Sequence, residues 1–158
     1  IFFHGSIIKF LKATEYAIGS TVGILIQFPL YFGIMGMFQS TGIIQDFSEF
    51  FQNISNETTY PIFTFISAGI VNFFVPSGGG QWYIQGPLVI QSAIEMGIPL
   101  NKSIMALAYG DQLTNMMQPF WAIPLLGITG LKAKDILPFT FILMIVGFMV
   151  FTIGLLVF

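Results

Sequence analysis

The polar residues of one glycine-rich segment could bind an anion. Positions 58–94 contain no charged residue, yet their middle carries three consecutive glycines between two prolines. Both residue types weaken a helix, because glycine has no preferred backbone conformation and proline lacks an N–H donor. Successive glycine N–H groups, with the start of a following helix, present positive partial charge that suits a carboxylate. The residues that we predict to contact such a ligand are Ser77, Gly78, Gly79, Gly80, Gln81 and Gln85.

A second polar segment lies at 110–115 and contains Asp111, the only acidic residue of the apolar stretch 103–131. A charged side chain at membrane depth costs at least about 2.5 kcal/mol, so such residues usually face a cavity and mark an ion or proton path. We therefore predict that Asp111 lies on an ion or proton path and binds H⁺ or Na⁺, with Thr114 and Asn115 beside the ligand. An alternative stays open, in which Asp111 caps the helix that follows.

The charge of the ligand follows from the absence of Lys and Arg at both segments. A dianion would need such a partner or several cations, whereas backbone dipoles, hydroxyls and amides can hold a monoanion. The predicted ligand is a small monocarboxylate, with a dicarboxylate as the alternative. Cys is absent and His4 is the only His. The sequence therefore predicts no metal site, no cofactor and no nucleophile–base pair for catalysis.

The composition is that of a membrane protein. Hydrophobic residues make up 55% of the 158-residue chain and charged residues only 8%, where soluble domains have about a quarter. Mean hydropathy is +0.86. The formal net charge is −2 and no basic patch is present, so a nucleic acid partner is not expected. The lipid bilayer is the predicted environment.

Four apolar segments predict an all-α membrane protein. A span covers about 18–38, a re-entrant helical hairpin 60–97, a broken helix 101–128 and a last span 136–158. Each hairpin arm reaches roughly 25 Å, less than the ~30 Å hydrocarbon core, although two marginal full spans remain possible. Pro29 predicts a kink in the first span, with a direct role of its neighbours in the site as the alternative.

The distribution of charge predicts the orientation. Four lysines precede the first and last spans, and such positions are usually cytoplasmic: Lys9, Lys12, Lys132 and Lys134. The acidic segment 39–59 is predicted to be an extramembrane loop on the outside. Residues 4–15 are predicted to form a short polar connection before the first span.

Several runs of residues resemble the bacterial short-chain fatty acid transporter family. They are HGS at 4–6, QFPLY at 27–31, FVPSGGGQW at 74–82, QGP at 85–87 and AYGDQLTNMMQPFWA at 108–122. The resemblance covers nearly the whole chain and corresponds to the C-terminal third of that family. The chain also opens without Met, so we expect an internal start. The resemblance implies uptake of anions such as butyrate or acetoacetate across the bacterial inner membrane.

That family is in turn similar to the ion-transporter superfamily of carboxylate carriers. The similarity implies one repeat of an inverted-repeat transporter, in which each repeat contributes a re-entrant hairpin and an unwound helix to the site. It also implies a homodimer, and an N-terminal repeat of the same protein that is missing here. We expect a multi-pass secondary transporter that couples a short monocarboxylate to a cation. A proton- or ion-conducting subunit and a structural membrane subunit stay as alternatives.

The predicted orientation can be tested by cysteine labelling, because the chain has no native Cys. Cysteines placed at Glu49 and Glu57 are expected to react with an impermeant thiol reagent added outside the cell. Cysteines at Lys132 and Lys134 are expected to react only after the membrane is opened. The opposite labelling pattern would invert the orientation.

Overall fold

The computed structural model describes residues 2–157, without the side chains of Ser20, Ile24, Gln39 and Pro119. These residues form a 3-10 turn at Phe2–His4 and seven α-helices, with no strand among them. The helices are α1 (Ile7–Thr41), α2 (Ile43–Asn53), α3 (Tyr60–Asn72), α4 (Gly78–Glu95), α5 (Leu100–Asn115), α6 (Pro119–Thr129) and α7 (Ala133–Val157). The predicted all-α class is confirmed.

Two long helices, α1 and α7, form much of the apolar surface. Their stretches Thr21–Phe38 and Ala133–Val157 are long and apolar enough to cross a bilayer, and both are largely exposed. The Ser6 side chain accepts a hydrogen bond from the Lys9 N–H at 3.2 Å and so caps the start of α1. α1 ends at Gly42, whose φ of 74° is a conformation that favours glycine. An exposed apolar surface of this extent fits hydrocarbon better than water.

The four predicted segments correspond to helices with different bounds. The first span, 18–38, lies inside α1, and the hairpin segment 60–97 contains α3 and α4. The broken segment 101–128 contains most of α5 and α6. The last span, 136–158, lies in α7 apart from Phe158, which is outside the described residues. How these helices cross the membrane stays a prediction.

Two segments that the sequence predicts to be irregular are helical. In the predicted connection 4–15, helix α1 begins at Ile7, because the Ser6 cap starts the helix before the apolar stretch. The lysines of this first part are compatible with a helix, since their long stems can carry the charge away from apolar surface. The predicted loop 39–59 contains the end of α1 and all of α2, so the loop prediction is wrong for most of that segment.

α2 is an amphipathic helix, with acidic residues on one face and an apolar face that packs on the protein. Its hydrophobic residues stand at 43, 44, 47, 50 and 51, which is the spacing of one helix face. Ile44 and Ser48 are buried, and α2 packs on α3 and α4. Asp46 and Glu49 are exposed on the other side. The loop prediction followed the charge of the segment and overlooked this periodicity.

The most extensive contact between helices joins α3 to α5. A Cβ added at Gly110 would lie 2.6 Å from the Ala68 Cβ and 2.8 Å from the Gly69 nitrogen. Those distances are too short for any side chain, so the two backbones can touch only because residue 110 is glycine. α7 packs against the same pair of helices, where the rings of Tyr109 and Phe151 stack at 4.5 Å.

The glycines of the first break are helical rather than part of a loop. Irregular backbone covers 73–77, and the glycines 78–80 form the first turn of α4. Ser77 adopts an extended conformation, and its side chain accepts a hydrogen bond from the Gly80 N–H. This cap allows the helix to begin at Gly78, the first of the three glycines, although glycine itself is a poor helix former.

The second break lies at 116–118 rather than at the predicted 110–115. α5 continues to Asn115, and α6 starts after Gln118, whose ψ of 103° is extended. A proline disfavours the helical conformation of the residue before it, so Pro119 determines this boundary. Asn115 is the last residue of α5, and Gln118 occupies the position directly before α6. Pro119 lies in the first turn of α6, where its missing N–H donor costs least.

We expect Gly110→Ala to destabilise the fold, because the added Cβ would overlap backbone atoms, which cannot move away by a change of rotamer as a side chain can. Overpacking of this kind costs typically about 1–3 kcal/mol. The measurement is the melting temperature of the complete protein in detergent. Gly154→Ala is the control, since a Cβ at Gly154 meets no atom of the described residues within 4 Å. Equal melting temperatures for the two variants would contradict the close helix crossing.

Candidate functional site

The start of α4 presents free backbone donors. The Gly80 N–H donates to Ser77 Oγ at 3.3 Å, and the Gln81 N–H donates to the Ser77 carbonyl at 2.7 Å. The N–H groups of Gly78 and Gly79 have no hydrogen-bond partner within residues 2–157, and both glycines are exposed. Free N–H groups at the positive end of a helix favour a negative charge.

The carboxylate of Asp111 faces this helix start. Its Oδ2 lies 3.6 Å from the position that a Cβ on Gly78 would occupy. Its Oδ1 is buried and has no hydrogen-bond partner among the described residues. The structure thus brings Asp111 together with the glycine-rich segment, two parts of the chain that the sequence predicts to share a site. A proton or a small cation would satisfy an acceptor of this kind.

Asp111 does not cap the helix that follows the second break. It lies inside α5, and α6 starts after Gln118, which makes no side-chain capping hydrogen bond within the described part of the chain. The alternative interpretation of Asp111 as a cap for the second helix is therefore wrong.

Asn72, at the end of α3, connects the two broken regions. Its side chain is fully buried, and Nδ2 lies 3.0 Å from the Asp111 carbonyl oxygen, 3.0 Å from Thr114 Oγ1 and 2.9 Å from Asn115 Oδ1. Its own Oδ1 is buried without a partner in the described part of the chain. The sequence prediction omitted this residue. The available signal was a lone amide in the apolar run of α3.

Two further side chains hold the break at 116–118, one against the end of α3 and one against the end of α5. Gln118 Nε2 donates to the Phe73 carbonyl at 3.1 Å and lies 3.4 Å from the Asn72 carbonyl. Trp121 Nε1 donates to Asn115 Oδ1 at 2.8 Å. Free carbonyl groups at the end of a helix need such partners in an apolar environment. Each broken region therefore supplies hydrogen bonds to the other.

Three of the predicted binding residues are buried and hydrogen-bonded inside the protein. Gln81 Nε2 donates to the Ala68 carbonyl and to Gln85 Oε1, both at 2.8 Å. Gln85 Nε2 donates to Ser48 Oγ of α2 at 2.7 Å. Thr114 Oγ1 donates to the Gly69 carbonyl at 2.9 Å. These side chains connect α2, α3, α4 and α5, and their role in binding a ligand stays a prediction.

The other predicted residues lie at the accessible part of the site. Gly78 and Gly79 are exposed, while Ser77, Gly80, Asp111 and Asn115 are half-buried. Among residues 2–157, no group of three or more His, Asp or Glu side chains could hold a metal ion. The arrangement can offer backbone donors to an anion and a single carboxylate to a proton or monovalent cation.

The chain is similar to known transporters. The model of a family described as short chain fatty acid transporter matches residues 1–158. Two relatives, both provisionally named short-chain fatty acid transporters, are 48% identical in Haemophilus influenzae and 46% identical in Escherichia coli, each over 155 residues. The matches cover 98% of this chain, which spans 35% of the length of each relative. No solved structure matches the chain.

Asn72→Ala is expected to lower the melting temperature of the complete protein, because buried oxygens on α5 would lose their donor. Leaving a buried polar group unsatisfied costs about 1–3 kcal/mol. Asn53→Ala, at the exposed end of α2, is the matched control and should melt like the wild type. An Asn72→Ala protein with unchanged melting would show that these hydrogen bonds do not hold the two broken regions together.

Proposed function

The chain belongs to the short-chain fatty acid transporter family, and on this premise we propose that the start of α4 binds the carboxylate of a short fatty acid during uptake. The family consists of transporters, not enzymes. We further propose that Asp111 couples the transport to a cation. Butyrate and acetoacetate are the substrates that we expect.

One observation carries this proposal: the helix start with the unpaired N–H groups of Gly78 and Gly79 faces the Asp111 carboxylate, whose Oδ2 lies 3.6 Å from the position of a Cβ on Gly78. The two amides can donate to a carboxylate without any lysine or arginine, because they lie at the positive end of α4. Ser77 offers a hydroxyl at the same place. A single negative charge is the most that such neutral donors hold well.

The proximity of Asp111 gives a physical reason for coupling. A substrate carboxylate on the amides of α4 would lie close to a second negative charge. At about 4 Å, two like charges repel by about 4 kcal/mol when the effective dielectric constant is about 20. A proton or Na⁺ on Asp111 removes this repulsion, so cation and substrate would bind best together. Such mutual dependence is the requirement for a symporter.

The proposed membrane arrangement follows from helix lengths. α1 and α7 cross the bilayer, whereas α3, with 13 residues, reaches only about 20 Å of a core about 30 Å thick. α3 and α4 would form a re-entrant hairpin with segment 73–77 at membrane depth. Irregular backbone at that depth persists only where it is buried or lines a water-filled cavity.

The rest of the proposed assembly lies beyond this chain. The curated relatives are longer, since the chain spans 35% of their length. We propose that a second, inverted repeat completes the site from the opposite side. The whole would be a multi-pass protein of the bacterial inner membrane, acting as a homodimer.

Asp111→Asn is expected to abolish concentrative butyrate uptake by the complete protein in liposomes. The substitution keeps the size of the side chain but removes the charge that would hold the coupling cation. Labelled butyrate would be followed under an imposed Na⁺ gradient and, separately, under a pH gradient. Exchange of butyrate across the membrane without a gradient should survive, because the amides of α4 are unchanged.

Asp46→Asn, on the exposed side of α2, is the matched control for this experiment. It should accumulate butyrate like the wild type under whichever gradient drives uptake. Normal gradient-driven accumulation by Asp111→Asn would exclude the coupling role. A wild-type protein that takes up no short fatty acid under either gradient would exclude the proposed function itself.

A further inference from the structure

An apolar cavity of about 100 Å³ lies directly beside Ser77. Its walls come from the irregular segment at Pro76 and Ser77, from α6 at Phe120 and Trp121, and from one face of α1. The α1 part overlaps the run at 27–31, whose contribution the sequence leaves open between a kink and a direct role. The structure therefore places this run next to the candidate site.

The wall formed by α1 has helical spacing and is held by ring contacts. Phe28, Tyr31, Phe32 and Met35 line the cavity at positions i, i+3, i+4 and i+7. The ring of Phe28 stacks on Phe120 with centroids 4.1 Å apart, and Tyr31 meets the same ring edge-on at 4.9 Å. Phe120 is only 6% exposed. These ring contacts hold the α1 wall of the cavity against α6.

Ser77 belongs both to this cavity and to the start of α4. The apolar walls and the free N–H groups of Gly78 and Gly79 therefore meet at one residue. Binding sites for small molecules combine an apolar cavity with a few polar groups that fix the orientation. A ligand with a carboxylate at one end and a hydrocarbon chain at the other matches both parts. A polyhydroxylated ligand would leave polar groups unpaired against the aromatic rings.

We propose that this cavity binds the hydrocarbon chain of the transported acid and selects its length, an inference that rests on the carboxylate site of the proposed function. An engineered apolar cavity of about 150 Å³ binds benzene, which has six carbon atoms. In proportion, a cavity of about 100 Å³ has room for roughly four carbon atoms. The three carbons beyond the carboxyl group of butyrate fit this space and the five of hexanoate do not, so a four-carbon acid is the preferred substrate.

Chain-length selectivity tests this inference in the complete protein. Uptake of labelled butyrate would be measured with unlabelled acetate, butyrate or hexanoate as competitors. Burial of one methylene corresponds to about 0.8 kcal/mol, or about fourfold in affinity. We expect the wild type to bind butyrate more tightly than acetate by at least that factor, and hexanoate no more tightly than butyrate.

Two variants should shift the selectivity in opposite directions. Phe28→Ala enlarges the cavity, so hexanoate should gain at least about fourfold over acetate as a competitor. Met35→Phe fills part of the cavity, so butyrate should lose at least about fourfold against acetate. If Phe28→Ala fails to fold, the change in the butyrate-to-acetate ratio of Met35→Phe is by itself a sufficient test of the role of the cavity. Phe139→Ala, on the exposed surface of α7, is the matched control and should keep the wild-type order.

The outcomes separate this inference from the proposed function. A wild-type protein that takes up butyrate, with the same competitor ratios in both cavity variants, would overturn the role of the cavity and leave the transporter function intact. A wild-type protein without uptake of any short fatty acid would overturn the proposed function, and the inference with it. Opposite shifts in the two variants would support the assignment.

Discussion

The contact of α3 with α5 at Gly110 determines where the candidate site can form. Because residue 110 has no Cβ, the backbones approach closely enough for Thr114, one turn further on, to donate to the Gly69 carbonyl at 2.9 Å. The same approach brings Asn72 Nδ2 to the Asp111 carbonyl oxygen. A side chain at 110 would separate the helices. The Asp111 carboxylate would then lose its position opposite the start of α4.

The long helices could be predicted from the sequence, whereas the short ones and the breaks depend on local details. Hydrocarbon thickness requires long apolar segments, so α1 and α7 are evident from composition. α2 is difficult to predict, because its hydrophobic residues are interspersed in sequence with Asp46 and Glu49, and the acidic residues suggest a loop. The boundary at Pro119 follows from a steric rule for the preceding residue, and the start of α4 follows from the Ser77 side chain. Both are local effects that composition does not show.

The candidate site could be predicted from the sequence only where a residue is unusual in an apolar segment. Gly78 and Asp111 stand out because such residues are costly in an apolar helix. Asn72 is not identified in this way, since the acceptors of its side-chain hydrogen bonds lie about 40 positions away in sequence and no local pattern indicates them. Gln81 and Gln85 resemble ligand-binding amides in sequence but make hydrogen bonds inside the protein. A sequence shows that a polar group is present and leaves open which way it points.

In a membrane, the accessible part of this site needs polar partners. The free N–H groups of Gly78 and Gly79 and the carboxylate of Asp111 cannot be solvated by hydrocarbon, and each polar group left unpaired there costs several kcal/mol. Water in a cavity could satisfy these groups, but it would gain nothing from the aromatic walls beside Ser77. A fatty acid, together with a proton or cation on Asp111, would satisfy both surfaces at once, because its carboxylate accepts from the free N–H groups while its chain covers the rings. This difference is a physical basis for preferring a fatty acid over an inorganic anion of the same charge.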